Sequence, residues 1–167
     1  PEILPTMRLT QWTDYSLRVL MYCAASEGRA NPVTISEIAQ AHGISHSHLT
    51  KVVVELAAHD LLGTTRGRGG GLRLLKPAGE IVVGEVVRLS ESDFTMVECF
   101  DGATNQCRMD GHCRLKGVLD AALQAYLQVL DRATLADLVA TQDAQTLHPL
   151  KRPLARSPGL PPALPPG

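Results

Sequence analysis

Cys99, Cys107 and Cys113 fall within fifteen residues in the pattern Cys-x7-Cys-x5-Cys. Thiolates are the preferred ligands of iron–sulfur clusters, and cysteines this close on a segment rich in Gly, Asp and Asn can wrap a compact centre. The spacing lacks the Cys-x2-Cys pair that commonly holds structural zinc, although His112 beside Cys113 keeps a Cys3His zinc site as the alternative. Three thiolates leave a tetrahedral set one ligand short. His112 and Asp110 are local candidates for the fourth place, and Asp14 and Cys23 distant ones. Cys23 falls near the apolar side of a helix, where a thiol packs as a small hydrophobe. Asp14 lies i, i+4 from Arg18 and reads as a helix cap or a local ion-pair partner.

A second group of residues has the chemistry of nucleic-acid contact. Thr34-Ile-Ser-Glu37 matches a capping box and starts a short helix over about 35–41, which stops at Gly43. Ser45 can cap a longer helix whose Leu49, Val52, Val53 and Leu56 follow i, i+3, i+4, i+7 spacing. Short helix, glycine turn and longer helix make a helix-turn-helix, in which the N-terminal part of the second helix enters the major groove. Ser45, His46, Ser47, Thr50 and Lys51 occupy that part. Ser and His can bond base edges or phosphates, and Lys51 can neutralise a phosphate. Alone, the same residues read as the polar, solvent-facing side of a helix.

The run TTRGRGGGLRLLKP that follows shifts the balance. Thr64, Thr65 and Leu72–Leu75 can form two short strands around a glycine-rich tip, from which Arg66 and Arg68 project toward phosphate or a narrow minor groove. Residues 64–76 carry Arg66, Arg68, Arg73 and Lys76 with no acid. Such a basic finger suits a wing on DNA, whereas a phosphate-cradling nucleotide loop would need the Gly-Lys-Ser/Thr ending that is absent here.

The elements that must position these groups are mainly helical. The chain has 167 residues, 44% hydrophobic and 20% charged, enough for one modest core and a helical extension. Residues 1–6 read as an upstream extension or a cloning remnant, residues 7–92 as a winged helix-turn-helix, and residues 93–113 as the cysteine loop. Residues 114–140 read as a dimerisation helix with a C-terminal helical segment. Seven of the eleven prolines lie in residues 141–167, which predicts a disordered tail. Within the first unit, helix one is expected over 13–26 with Thr13 as a possible cap and Leu17, Leu20, Met21 and Ala24 on its apolar stripe. A further helix is expected over 79–91. The long helix, about 114–131, carries Leu115, Val118, Leu119, Ala122, Leu123, Tyr126, Leu127 and Leu130, more apolar surface than one exposed helix leaves in water.

The net charge of −1 hides a gradient: Lys and Arg outnumber Asp and Glu by two over residues 1–76 and fall short by five over 77–140. No apolar run is long enough to span a bilayer, no secretory signal is visible, and clustered thiols fit a reducing compartment, so a cytoplasmic protein is expected. No Ser/His/Asp set or paired-carboxylate motif stands out, which argues against an enzyme.

Five stretches carry a family resemblance: MRLTQWTDYSLRVL at 7–20, TISEIAQAHGIS and HLTKVV within 34–53, RGRGGGLRL at 66–74, VGEVVR at 83–88, and the CRLK that opens the last long helix. Over about residues 7–140 the chain resembles the NsrR/IscR family of bacterial iron–sulfur transcription regulators, and most closely its NsrR-type, nitric-oxide-sensing branch of repressors. The resemblance implies a homodimer whose long helix pairs two winged domains on an approximately palindromic operator. It maps the cluster ligands onto Cys99, Cys107 and Cys113, with [4Fe-4S] favoured over [2Fe-2S]. IscR-like members carry a histidine three residues after the last cysteine, where this chain has Lys116. The NsrR-like alternative is an aspartate in the TDxxLR segment, Asp14 here, reaching the cluster of the partner subunit. The seven-residue gap between Cys99 and Cys107 is longer than is usual in the family.

Overall fold

The structure, a computed structural model, describes residues 8–109 and 112–140. The expected N-terminal extension and proline-rich tail lie outside the described residues, as does Asp110. The element order is α1 (Gln11–Ala25), α2 (Ile35–His42), α3 (His46–Ala58), β1 (Leu62–Thr65), β2 (Gly71–Leu74), α4 (Val83–Ser90), α5 (Arg114–Asp131) and α6 (Leu135–Val139), with short 3₁₀ turns at Ala78–Glu80 and Glu98–Phe100.

Helix α1 is the centre of the fold. It packs against α3, α4, α6 and β2, and its Val19 and Leu20 are fully buried. Contact on several sides explains why Thr13, Ser16, Val19 and Tyr22 are buried while the expected stripe residues Leu17 and Met21 are only half-buried. The helix begins earlier than 13–26: Thr10, not Thr13, is its cap, its hydroxyl accepting the Thr13 N–H at 3.3 Å. The Glu91 carboxylate in turn accepts the Thr10 N–H at 2.7 Å. That partner lies 81 residues away, beyond any local pattern.

The helix-turn-helix forms over the expected residues. Gly43 ends α2 at φ 64°, the left-handed conformation that a glycine adopts without penalty. Ser45 caps α3 by accepting the His48 N–H at 3.3 Å, and Leu49, Val52, Val53 and Leu56 are all buried. Only half of the Thr34/Glu37 box exists. Thr34 accepts the Glu37 N–H at 3.1 Å, but the Glu37 carboxylate turns away to the Tyr22 hydroxyl at 2.9 Å and the Arg29 guanidinium at 2.6 Å. Tertiary donors, one of them charged, outcompete the helix's own amide.

Strands β1 and β2 pair antiparallel from Leu62↔Leu74 to Thr65↔Gly71. Val33 adds an antiparallel bridge to Leu72, whose N–H donates to the Val33 carbonyl at 2.7 Å. A Cβ on Gly71 would collide with that carbonyl, so the wing's base needs glycine to meet the segment before α2.

The helix expected over 79–91 is broken. Residues 81–83 pair instead with the chain after α5: Leu135 N–H donates to the Ile81 carbonyl at 3.0 Å and Val83 N–H to the Ala133 carbonyl at 2.9 Å. Glycine at position 84 lets the end of α5 approach, since a Cβ there would strike the Asp131 carboxylate. Arg88 then grips that carboxylate through both terminal guanidinium nitrogens. Thr134 and Asp137 form a full capping box on α6, and Leu135 is 0% exposed. Among the described residues no helix is long and apolar enough to cross a membrane.

Burial pushes the Glu37 carboxyl up, but bonds from Arg29, Tyr22 and the Thr34 cap outweigh it and hold the group below its usual range. A depressed folded-state value contributes stability above the unfolded value, about pH 4.3. That stability disappears as pH falls through the lower folded value. Glu37→Gln should therefore lower stability at neutral pH and flatten its loss on acidification, read from urea midpoints between pH 3 and 7; parallel pH profiles for variant and parent would refute the assignment.

Candidate functional site

The outward face of α3 presents His46, Ser47 and Lys51 to solvent. Ser45, also exposed, is committed to the helix cap, its Oγ lying 3.4 Å from Ser47 Oγ. Thr50 donates its hydroxyl proton to the His46 carbonyl at 2.8 Å, which leaves its oxygen as an acceptor. At the wing tip, Gly67 at φ 94° and Gly69 at φ 79° turn the chain, and Arg66 and Arg68 stand exposed beside them. Arg73 is engaged, donating to the Ala30 carbonyl at 3.2 Å. Among the described residues, Lys51, Arg66 and Arg68 form no ion pair, so each cation is available to an outside anion. The positions of α3 and the wing are set by packing of α3 on α1 and on β1.

The cysteine segment is irregular but pinned. Asp101 accepts the Ala103 N–H at 2.9 Å and the Thr104 hydroxyl at 2.7 Å, which folds the long gap into a turn. Glu98 Oε1 accepts the Gln106 N–H at 2.7 Å, tying the residue before Cys99 to the residue before Cys107. Asn105 Oδ1 accepts the Cys107 N–H at 2.9 Å. The extra residues of the gap are thus taken up by hydrogen bonds that close it, a signal legible only in Asp101, Glu98 and Asn105 together.

Cys99, Cys107 and Cys113 are free, half-buried thiols, and Cys113 occupies the N-cap of α5 without a side-chain capping bond. As donors they fit a thiolate-bound cluster. Among the described residues, however, no three His, Cys, Asp or Glu side chains are drawn together closely enough to hold a metal ion. Asp14 is paired with Arg18 at 2.8 Å on α1. His112 is exposed. Cys23 is core: burial, with the Glu37 charge adding to it, pushes its thiol up to about 12.

Helix α5 leaves Leu115 60%, Val118 63% and Val129 67% exposed, with Leu127 its one buried residue among those described. Together with the arms of α3 and the wing, this is the build of a winged helix-turn-helix regulator with an added helical arm. Residues 9–141 match the model of the Rrf2 family, described as iron-dependent transcriptional regulators. The chain belongs to the Rrf2 family and is a transcriptional regulator of that type. It is 49% identical over 137 residues to the HTH-type transcriptional regulator NsrR of Bacillus subtilis (strain 168), covering 82% of this chain and 93% of the relative. The NsrR regulator of Shouchella clausii is 47% identical over 137 residues, covering 82% and 91%. Among solved structures, CymR, the global cysteine regulator of B. subtilis, superposes with a TM-score of 0.70 at 25% identity over 83% of this chain and 100% of that one.

Two features of this region were not visible in the sequence. His48 lies against Tyr15 of α1, and Glu91 reaches the start of α1. Both are contacts between distant segments of helical surface.

The thiols differ enough to be told apart chemically. Brief alkylation of the reduced, metal-free chain at pH 7.5 should modify Cys99, Cys107 and Cys113 and spare Cys23 until denaturant is added, because the thiolate is the reacting species. Mass spectrometry of peptides reads this directly, and early labelling of Cys23 would contradict its burial.

Proposed function

We propose that the chain is a dimeric repressor that binds double-stranded DNA and releases it when nitric oxide reacts at a cluster held by Cys99, Cys107 and Cys113 of one subunit and Asp14 of the partner subunit. The observation that carries this reading is the conjunction on α5: three free thiols, the last at the helix N-cap, directly ahead of a helix that leaves Leu115, Val118, Tyr126 and Val129 exposed among the described residues. The likeness to NsrR regulators and the family's iron-dependent description support it. When bound, the cluster, [4Fe-4S] in preference to [2Fe-2S], supplies an iron centre open to nitric oxide.

The chain's own residues do the rest. Cys113 would hold the cluster from the N-cap of α5, where the first-turn N–H groups favour a thiolate's negative charge. Asp14 is a hard oxygen donor among soft sulfurs and so the weakest tie. Freeing it from Arg18 costs little, since exposed i, i+4 pairs contribute only about 0.3–0.5 kcal/mol. The apolar face of α5 buries itself on the same face of a second copy. Two α3 helices then meet successive major grooves of an approximately palindromic operator, roughly 34 Å apart, and Lys51, Arg66 and Arg68 neutralise phosphates. If nitric oxide displaced Asp14 from a bound cluster, the subunits would be freed to leave that register, and genes of the nitric-oxide response would be derepressed in the cytoplasm.

Anaerobic purification with iron and sulfide analysis, followed by nitric-oxide titration against binding to a duplex selected from a random pool, tests the whole reading. Loss of binding in step with the spectral change supports it. Undiminished binding points to a regulator of another signal, such as cluster supply or peroxide, and zinc without iron to a zinc-stabilised interaction module. Asp14→Ala should leave thermal stability within about 0.5 kcal/mol of the parent while altering the visible circular dichroism of the loaded protein; an unaltered spectrum removes Asp14 from the ligand set. For the DNA face, Arg66→Ala should weaken binding, and Lys51→Ala should lower the slope of log affinity against log salt by about 0.9, the share of one phosphate.

A further inference from the structure

Helices α1 and α3 meet at a contact that the residues above leave unused. The Tyr15 ring lies 6.5 Å from the His48 ring, centroid to centroid, tilted by 36°. That separation is within the range of packed ring pairs. One turn earlier on α1, Gln11 donates from Nε2 to the Tyr15 hydroxyl oxygen at 2.7 Å. A phenol has one proton to give and lone pairs to accept. With Gln11 supplying a donor, the phenolic proton turns away from it, and among the described residues no acceptor takes that proton. His48 belongs to the first turn of α3, held there by the Ser45 cap. An aimed donor without an acceptor therefore stands beside the end of α3 that leads into the groove.

We propose that Tyr15 is a DNA-backbone contact: its hydroxyl, turned outward by Gln11 and braced by His48, donates a hydrogen bond to a phosphate flanking the groove that α3 occupies. This rests on the reading of α3 as the recognition helix. A phosphate oxygen is a pure acceptor, which complements a hydroxyl whose acceptor side is filled, and tyrosine hydroxyls are among the groups that bond backbone phosphates. In helix-turn-helix docking the first helix of the motif crosses the backbone beside the groove that the second helix enters, and α1 packs against that second helix. Tyr15 is neutral and displaces no counterion, so it adds affinity without adding to the salt dependence. Phenylalanine at this position keeps the ring against His48 and removes only the donor.

The test uses the full chain, a duplex selected from a random pool for binding to the parent, and a scrambled duplex of the same composition. Tyr15→Phe should bind both duplexes about fivefold to tenfold more weakly, with the salt slope and melting temperature unchanged. In selected duplexes carrying one methylphosphonate, a single position per half-site should bring the parent to the level of the variant and leave the variant no weaker. Equal binding by variant and parent, a loss confined to the selected duplex, or a loss that tracks lowered melting temperature would each overturn the assignment while DNA binding itself stands. A parent chain that binds no duplex overturns the recognition-helix reading and this contact with it.

Discussion

Two backbone hydrogen bonds, Leu135 N–H to Ile81 and Val83 N–H to Ala133, tie the end of α5 into the winged domain, and the use of that helix depends on them. An 18-residue helix is about 27 Å long and would otherwise swing on its connections. Here its C-terminal end is rooted. Leu135 is sunk in the core, Gly84 admits the last turn, and Arg88 closes on Asp131. The acidic residue at the C-terminus of a helix opposes the helix dipole, so the arginine also supplies the positive charge that end requires. Its other end carries Cys113. A disturbance at the cysteines can therefore reach the DNA-binding unit as a rigid movement of one helix.

Helix α1 packs against α4 and α6, the elements that hold the C-terminal end of α5. Its inner surface holds the core through Val19 and Leu20, and its first turns hold Asp14 and Tyr15 on the surface. The inner contacts are worth several kcal/mol if emptied, whereas the exposed Asp14–Arg18 pair is worth a few tenths. This division lets the outer residues exchange partners without loosening the fold. Glu91 fastens the start of α1 to the end of α4, so α1 and the segment leading to the cysteines are anchored at one point.

The parts legible in the sequence are those governed by contacts a few residues apart. Gly43, the Ser45 cap and the buried quartet Leu49, Val52, Val53 and Leu56 belong to this class. So does α5, whose ends are those expected. The misread parts are those where a distant group won. Thr10 rather than Thr13 caps α1 because Glu91 is there to hold it, and Glu37 leaves its capping role for Tyr22 and Arg29. Residues 81–83 look helical by periodicity but are drawn into a ladder with 133–135. Of the site, the donor types and the exposed basic residues were readable. The Tyr15–His48 contact was not, because each residue alone reads as ordinary helix surface.

The long Cys99–Cys107 gap is the point at which chemistry and geometry pull hardest against each other. A longer loop costs little entropy to close, since doubling its length adds only about 0.6 kcal/mol, but it does permit the two sulfurs to wander. The Glu98–Gln106 bond removes that freedom at the base of the loop, and Asp101 consumes the extra residues in a turn of its own. Cys113 is fixed separately by the start of α5. The three thiols thus sit on two separately held pieces, and a ligand that bound all three would have to draw those pieces together, which would couple its binding to the position of α5.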